Sequence, residues 1–220
     1  KATDPRYIGR FTVPVLWDSV TKRIVTNSDD DLMRIFNGEF NRFTESPIDL
    51  YPDGLRQEIE ELNTFIYENV KPTNGGPATF AALDQLDARL ATRRYLFGPE
   101  FVETDWRLFV TLVRFDAVYH GHFKCNIRRI LDYPNLFGYL KDLYQTDGIA
   151  ETVNFDHIKR HYYVTHDDIN PTRIVQSALT KTSPPLMGGN VYPASSFAAR
   201  NPHRRFSHQL LSKLVACSRN

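Results

Sequence analysis

"TDWRLFVTLVRFDAVYHGHF", residues 104–123, decides the fold. Wound at the helical period, it is apolar on almost every side until Arg114. A helix apolar all round is a central helix, covered by neighbours on several sides. Those neighbours are written on both flanks. Upstream, Leu55, Ile59, Leu62, Ile66 and Val70 recur at helical spacing and form one apolar stripe, and Phe80, Leu83, Leu86 and Leu90 form a second. The breaker "KPTNGGP" (residues 71–77) separates the two. Downstream, "YPNLFGYLKDLYQ" (133–145) turns Leu136, Leu140 and Leu143 inward, and "NFDHIKRHYY" (154–163) predicts a short fifth helix. The spacing predicts a helical domain built around residues 104–123.

The N-terminal part has a different period. In "FTVPVLWD" (11–18), Phe11, Val13, Val15 and Trp17 alternate with Thr12, Pro14, Leu16 and Asp18, which predicts a strand, with "KRIVTN" (22–27) as its antiparallel partner. Pro14 sits in mid-strand and has no N–H for a ladder, so it marks an edge, a bulge or a special peptide geometry. In "NSDDDLMRIFN" (27–37), small polar and acidic residues precede Leu32, Ile35 and Phe36, the pattern of a capped helix start. A lone hairpin is too small to fold by itself, so this part must pack on something.

The bulk composition excludes several classes. The 220 residues carry a net charge of +1 with 24% charged and 41% hydrophobic side chains, which gives no global pull toward nucleic acid or anionic lipid. Two cysteines, Cys125 and Cys217, exclude a disulfide framework and fit a reducing, cytoplasmic compartment. No apolar run has the length of a membrane span, and the first residues are not a signal peptide. The sequence begins without methionine, as a chain that starts inside a longer product does. From Ile169 onward there is no acidic residue but there are seven basic ones, which reads as a basic, disordered tail.

One cluster draws attention, "RFDAVYHGHFKCN" (114–126). His120, His122 and Cys125 are metal-ligand types. On one helix His122 and Cys125 share a face while His120 points nearly opposite, and no fourth ligand stands at a familiar spacing, so no metal is expected. Cys125 lies at the C-terminal end of the predicted helix, where the dipole disfavours a thiolate, and it reads as a buried structural cysteine. Tyr119, beside Asp116 and Arg114, is either a core tyrosine or a phenol lining a cleft.

Taken together, "GRFTVPVLWD", "RLFVTLVRFDAVYHGHFKCN", "DYPNLFGYLKDLYQ", "TVNFDHIKRHYY" and "INPT" resemble the xi-class glutathione transferases, or glutathionyl-hydroquinone reductases, in the same order from Asp4 to Thr172. The resemblance implies a mainly α protein: an all-helical transferase C-terminal domain (46–170), preceded by the ββα remnant of a thioredoxin-like domain (1–45) and followed by the tail (171–220). It implies glutathione as co-substrate. A cis bond before Pro14 would turn the Val13 backbone toward the cysteinyl part of glutathione, as in strand addition to a sheet edge. The helix start at Ser28 and Asp29 would hold its γ-glutamyl carboxylate. Tyr119 and Tyr162 would face a quinone or aromatic glutathione conjugate and donate to its oxygen.

The sequence departs from the family at three places. The family's Cys-Pro-Trp-Ala segment is absent, so the chain is expected to be an N-terminally truncated member, inactive by itself. Ser28-Asp29 stands where the family has Glu-Ser, or Asn27-Ser28 does after a one-residue slip. Val102 takes the threonine position of the capping box before the long helix, while Asp105 is kept. The expected function is that of a glutathione-dependent reductase of glutathionyl-hydroquinones working by thiol–disulfide chemistry, as a homodimer with no membrane or nucleic-acid partner. The other reading is a non-catalytic binding or dimerisation module derived from a transferase.

Overall fold

The structure, a computed structural model, describes residues 3–9, 12–45, 48–70 and 76–176. Phe11, residues 71–75 and the basic segment from 177 on, with Cys217, lie outside the described residues. The chain falls into two compact units, residues 1–56 and the part from Gln57 on.

In the first unit two short strands, β1 (Leu16–Asp18) and β2 (Arg23–Thr26), pair antiparallel. Asp18 builds the turn between them, accepting from the N–H of Val20 at 2.8 Å and of Thr21 at 3.2 Å. That is an Asx turn, the local bond that aspartate offers a chain reversal. The ladder is shorter than the alternation predicts. It begins at Leu16, and residues 12–15 stay outside it. Pro14 supplies no N–H, so pairing starts only after it. The Val13–Pro14 bond is cis. Val13 is 88% exposed and Trp17 39%, so the alternating residues do not form a buried face.

Helix α1 (Asp29–Gly38) follows with Ser28 as its N-cap, its Oγ accepting from Asp31 N–H at 3.2 Å. Asn37, at the other end, clasps the segment that follows: Oδ1 accepts from Leu50 N–H at 2.7 Å and Nδ2 donates to Asp49 at 2.8 Å. None of the described residues of this unit is buried.

The second unit holds the core. Its long helices are α2 (Arg56–Asn69, which begins one residue before the unit does), α3 (Pro77–Leu90), α4 (Glu103–Arg114), α6 (Pro134–Tyr144) and α7 (Phe155–Thr165), with a one-turn helix α5 (His120–His122) after α4. The predicted stripes are the core: Ile59, Ile66, Phe80, Leu83, Leu86, Leu90, Leu136, Leu140 and Leu143 are all buried. Burying a side chain of this size contributes roughly 1.5–3 kcal/mol each, before the entropy of ordering the chain is subtracted.

Helix α4 buries one face, with Leu108, Phe109, Leu112 and Val113, while Val110 on the other face is 43% exposed, so the covering on all sides that its apolar character predicts is not met. Its start is held by Asp105, which is fully buried. The Asp105 carboxylate accepts from Val102 N–H at 2.8 Å, Leu96 N–H at 3.0 Å and the Tyr139 hydroxyl at 2.9 Å. Val102 has no side-chain acceptor, so only the acidic half of a capping box exists here, and two further donors from outside the helix reinforce it.

The helix expected over residues 104–123 runs without interruption from Glu103 to His122, but Phe115–Tyr119 is wound as a π-helical turn; the chain leaves the helix after His122, with Lys124 in the left-handed region at φ 62°. Cys125 therefore does not share a helix face with His122. It sits in the irregular segment beyond, fully buried, its N–H donating to the Tyr119 carbonyl at 3.1 Å.

Candidate functional site

Tyr119 and Tyr162 stand 43 residues apart in the chain and meet at their hydroxyls, 3.4 Å apart, with the rings edge to face. Two elements bring them there. Tyr119 closes the π turn, and that turn is pinned by Asp116, whose carboxylate accepts from Ile130 N–H at 2.7 Å and Leu131 N–H at 3.1 Å. Asp116 is thus occupied in capping the 3-10 turn Ile130–Asp132, and burial raises its pKa. Tyr162 rides on α7, whose start is set by Asn154 accepting from His157 N–H at 3.0 Å. Phe123 completes the corner, its ring centroid 5.7 Å from Tyr119 and 5.8 Å from Tyr162.

Tyr119 is buried and Tyr162 half-buried. Burial drives the Tyr119 pKa well above that of an ordinary tyrosine, and the Tyr162 hydroxyl adds to the rise; Arg114 pulls the other way and is outweighed. Tyr119 is therefore a neutral phenol near pH 7. A pair of phenols has two O–H donors but shares one contact, so one donor remains for an oxygen atom placed against the pair. A buried donor aimed at developing negative charge is the arrangement that stabilises an oxyanion.

Around this corner lie side chains that helix geometry does not reveal. His166, the residue that ends α7, places Nδ1 3.2 Å from Nε2 of His122. Gln176 returns over α5: its Oε1 accepts from the Tyr163 hydroxyl at 2.8 Å. It lies where any side chain on Gly121 would be, for a Cβ there would stand 2.3 Å from that oxygen. Both residues are distant in sequence, and the only forerunner was the presence of two histidines near Tyr119.

His122 is paired with His166, and Cys125 is buried beyond the helix end. Among the described residues no group of three or more His, Cys, Asp or Glu is arranged to hold a metal ion.

Asn27 Nδ2 donates to Thr12 Oγ1 at 3.2 Å, which ties the segment leading into Val13 and Pro14 to the entry of α1 at Ser28 and Asp29. Among the described residues Val13 N–H and C=O meet no partner. Ser28 spends its oxygen on the cap, and Asp29, Asp30 and Asp31 all stand in the first turn. A pocket of about 550 Å³ in this unit, between Arg34, Asn37, Asp49, Tyr51 and Arg56, contains none of these residues.

The glutathione S-transferase C-terminal domain family matches residues 75–142. Glutathionyl-hydroquinone reductase YqjG of Escherichia coli (strain K12) is 47% identical over 188 residues, covering 78% of this chain and 57% of its own. Its glutathione-bound structure superposes with a TM-score of 0.76 at 45% identity, over 79% of this chain and 61% of that one. The xi glutathione S-transferase of Phanerochaete chrysosporium superposes with a TM-score of 0.75 at 43% identity, over 79% of this chain and 62% of that one. Over the residues it shares with them, the chain is homologous to the xi-class glutathione transferases. It spans 57% of the length of YqjG. The match to the helical C-terminal domain lies within the second unit, and the first unit carries the ββα remnant of a thioredoxin-like domain. No helix among the described residues is long and apolar enough to cross a membrane.

Proposed function

We propose that this chain forms the glutathione-holding edge and the aromatic-binding corner of a glutathione-dependent reductase of glutathionyl-hydroquinones. The observation that carries the proposal is the Tyr119–Tyr162 hydroxyl pair, a neutral buried phenol beside a half-exposed one. In the reaction a thiolate attacks the glutathionyl sulfur, forming an S–S bond while the carbon–sulfur bond breaks. The electron pair of that bond passes to the ring, whose carbon takes a proton. A second glutathione then attacks the mixed disulfide. The net change converts one glutathionyl-hydroquinone and one glutathione into the hydroquinone and glutathione disulfide. Tyr119 and Tyr162 donate to the ring oxygen on which charge develops. Val13 offers its backbone to the cysteinyl part of glutathione, and the α1 start at Ser28 and Asp29 lies nearest its γ-glutamyl end.

Cys125 is not the attacking thiol, because it is fully buried and follows a helix C-terminus. The reacting cysteine is assigned outside the described residues. The protein works in the cytoplasm, as a homodimer, and light scattering on the purified chain tests the latter. The same burial of Cys125 favours a second reading, a non-catalytic binding or dimerisation module.

The test is titration of this chain with glutathionyl-hydroquinone. Binding weakened about tenfold in Tyr119→Phe/Tyr162→Phe, a loss of about 1.4 kcal/mol, supports the phenol site, and an unchanged affinity rejects it. Mixed with glutathione and glutathionyl-hydroquinone, the chain alone is expected to show no turnover. Robust turnover would refute the assignment of the thiol.

A further inference from the structure

We propose that His122 and His166 form a clamp with room for one proton, and that this clamp positions Tyr162 against Tyr119. The proposal rests on the assignment of the phenol pair to the aromatic substrate.

The clamp joins two elements. His122 lies on α5, directly after the π turn that carries Tyr119, and His166 ends α7, which carries Tyr162. The Nε2–Nδ1 distance of 3.2 Å is a hydrogen bond, and a bond between two imidazoles needs one N–H and one lone pair. His122 is 3% exposed, and among the described residues its Nδ1 has no hydrogen-bond partner. Its ring is walled by Phe123 at 4.8 Å and Tyr163 at 5.0 Å, both edge to face. Protonating both rings would set two cations in contact. It would also leave a buried N–H on His122 with nothing to receive it, which buried donors rarely tolerate.

Tyr162 sits against this clamp. Its ring centroid is 5.4 Å from His166, 6.2 Å from His122 and 4.9 Å from His161. No hydrogen bond joins an imidazole to its hydroxyl among the described residues, so the histidines act on Tyr162 by placing its ring. The segment after His166 is tied down independently: Asn170 Nδ2 donates to the Tyr163 carbonyl at 2.7 Å, and Lys159 Nζ to the Gln176 carbonyl at 3.3 Å. His166 is therefore held from both sides, and the clamp opens by losing its own bond.

The groups facing the clamp are His161, Tyr162 and Tyr163 from α7, Lys124 from the loop after α5, and Asp168 from the turn after α7. Burial lowers the His122 pKa first, His166 and Lys124 lower it further, and Asp168 opposes them. A histidine with a depressed folded pKa stabilises the folded arrangement above its unfolded pKa, about 6.5, and that stabilisation is lost as the pH falls below it. Placement of Tyr162, and with it binding of the aromatic ring, is lost in the same window.

The experiment compares the chain with His166→Asn and His166→Ala. Asparagine presents a polar atom near the Nδ1 position but cannot take up a proton in this range. Glutathionyl-hydroquinone affinity is measured at about pH 7.5 and about pH 5.5, on either side of the histidine range. The unmodified chain is expected to lose about tenfold at the lower pH, His166→Asn to bind normally and change less than about twofold, and His166→Ala to be about tenfold weaker at both. The same pH dependence in His166→Asn as in the unmodified chain overturns the proposal, and so does normal binding by His166→Ala. The side-chain resonances of His122, His166, Tyr119 and Tyr162 are followed by NMR without ligand. If no variant binds glutathionyl-hydroquinone at any pH, the substrate assignment fails, and the NMR titration still decides the clamp. Tyrosine ring shifts that follow the histidine titration support it, and tyrosine shifts indifferent to it reject it.

Discussion

Removing the Asp105 carboxylate by Asp105→Ala should destabilise the second unit, and by more in acid than in base. Three donors lose their acceptor: Leu96 N–H, Val102 N–H and the Tyr139 hydroxyl. All three are buried, so each stranded donor costs about 1–3 kcal/mol, about 6 kcal/mol together at the middle of that range. Against this, the substitution relieves the burial of an anion. Burial raises the Asp105 pKa from 3.8 to about 6, against the pull of its hydrogen bonds. The folded protein therefore holds a proton where the unfolded chain has released it. The stability of the neutral form is fully present below pH 3.8 and lost as the pH rises through about 6. The loss above pH 6 is about 3 kcal/mol, at 1.36 kcal/mol per pKa unit. Asp105→Ala should then cost about 3 kcal/mol at about pH 8 and about 5 kcal/mol at about pH 4.5, where much of the neutral form is regained. Urea unfolding measures both. Trp106 reports on the site, packed edge to face on Phe101 at 5.2 Å and Phe109 at 5.8 Å, and Trp17→Phe removes the other tryptophan of the chain. A penalty that is equal at both pH values, or larger in base, refutes the claim that burial rather than hydrogen bonding governs this carboxylate.

Two further outcomes are expected. In a Cys217→Ser background, Cys125 should resist an aromatic disulfide reagent in the folded protein and react fully in urea, since it is 0% exposed; fast labelling under native conditions would contradict its burial. Ser28→Ala should cost α1 about 1 kcal/mol by removing the cap on Asp31 N–H, read as roughly fivefold faster hydrogen exchange of that amide, and unchanged exchange would show that Ser28 does not cap.

Much of this fold is legible without coordinates because it depends on local periodicity. The residues of the α3 stripe are buried where their spacing puts them, and so are Leu136, Leu140 and Leu143 on α6. The helix starts are legible as well, since Ser28 and Asn154 cap through bonds spanning three residues. The strand was read too long because alternation counts side chains, whereas a ladder counts N–H groups, and Pro14 lacks one. The site was legible only in part. Tyr119 and Tyr162 were named through resemblance, since spacing alone leaves Tyr119 a core residue.

The sequence by itself determined the helical stripes, the capped helix starts, the unusual proline and the family. These follow from contacts between residues a few positions apart, or from strings of residues that stand in order. The tertiary structure alone decided that Tyr119 meets Tyr162, that His122 pairs with His166 rather than with Cys125, and that Gln176 lies over Gly121. Each joins residues more than 40 positions apart. Each also depends on the π turn within the central helix, which the apolar pattern of residues 104–123 does not mark.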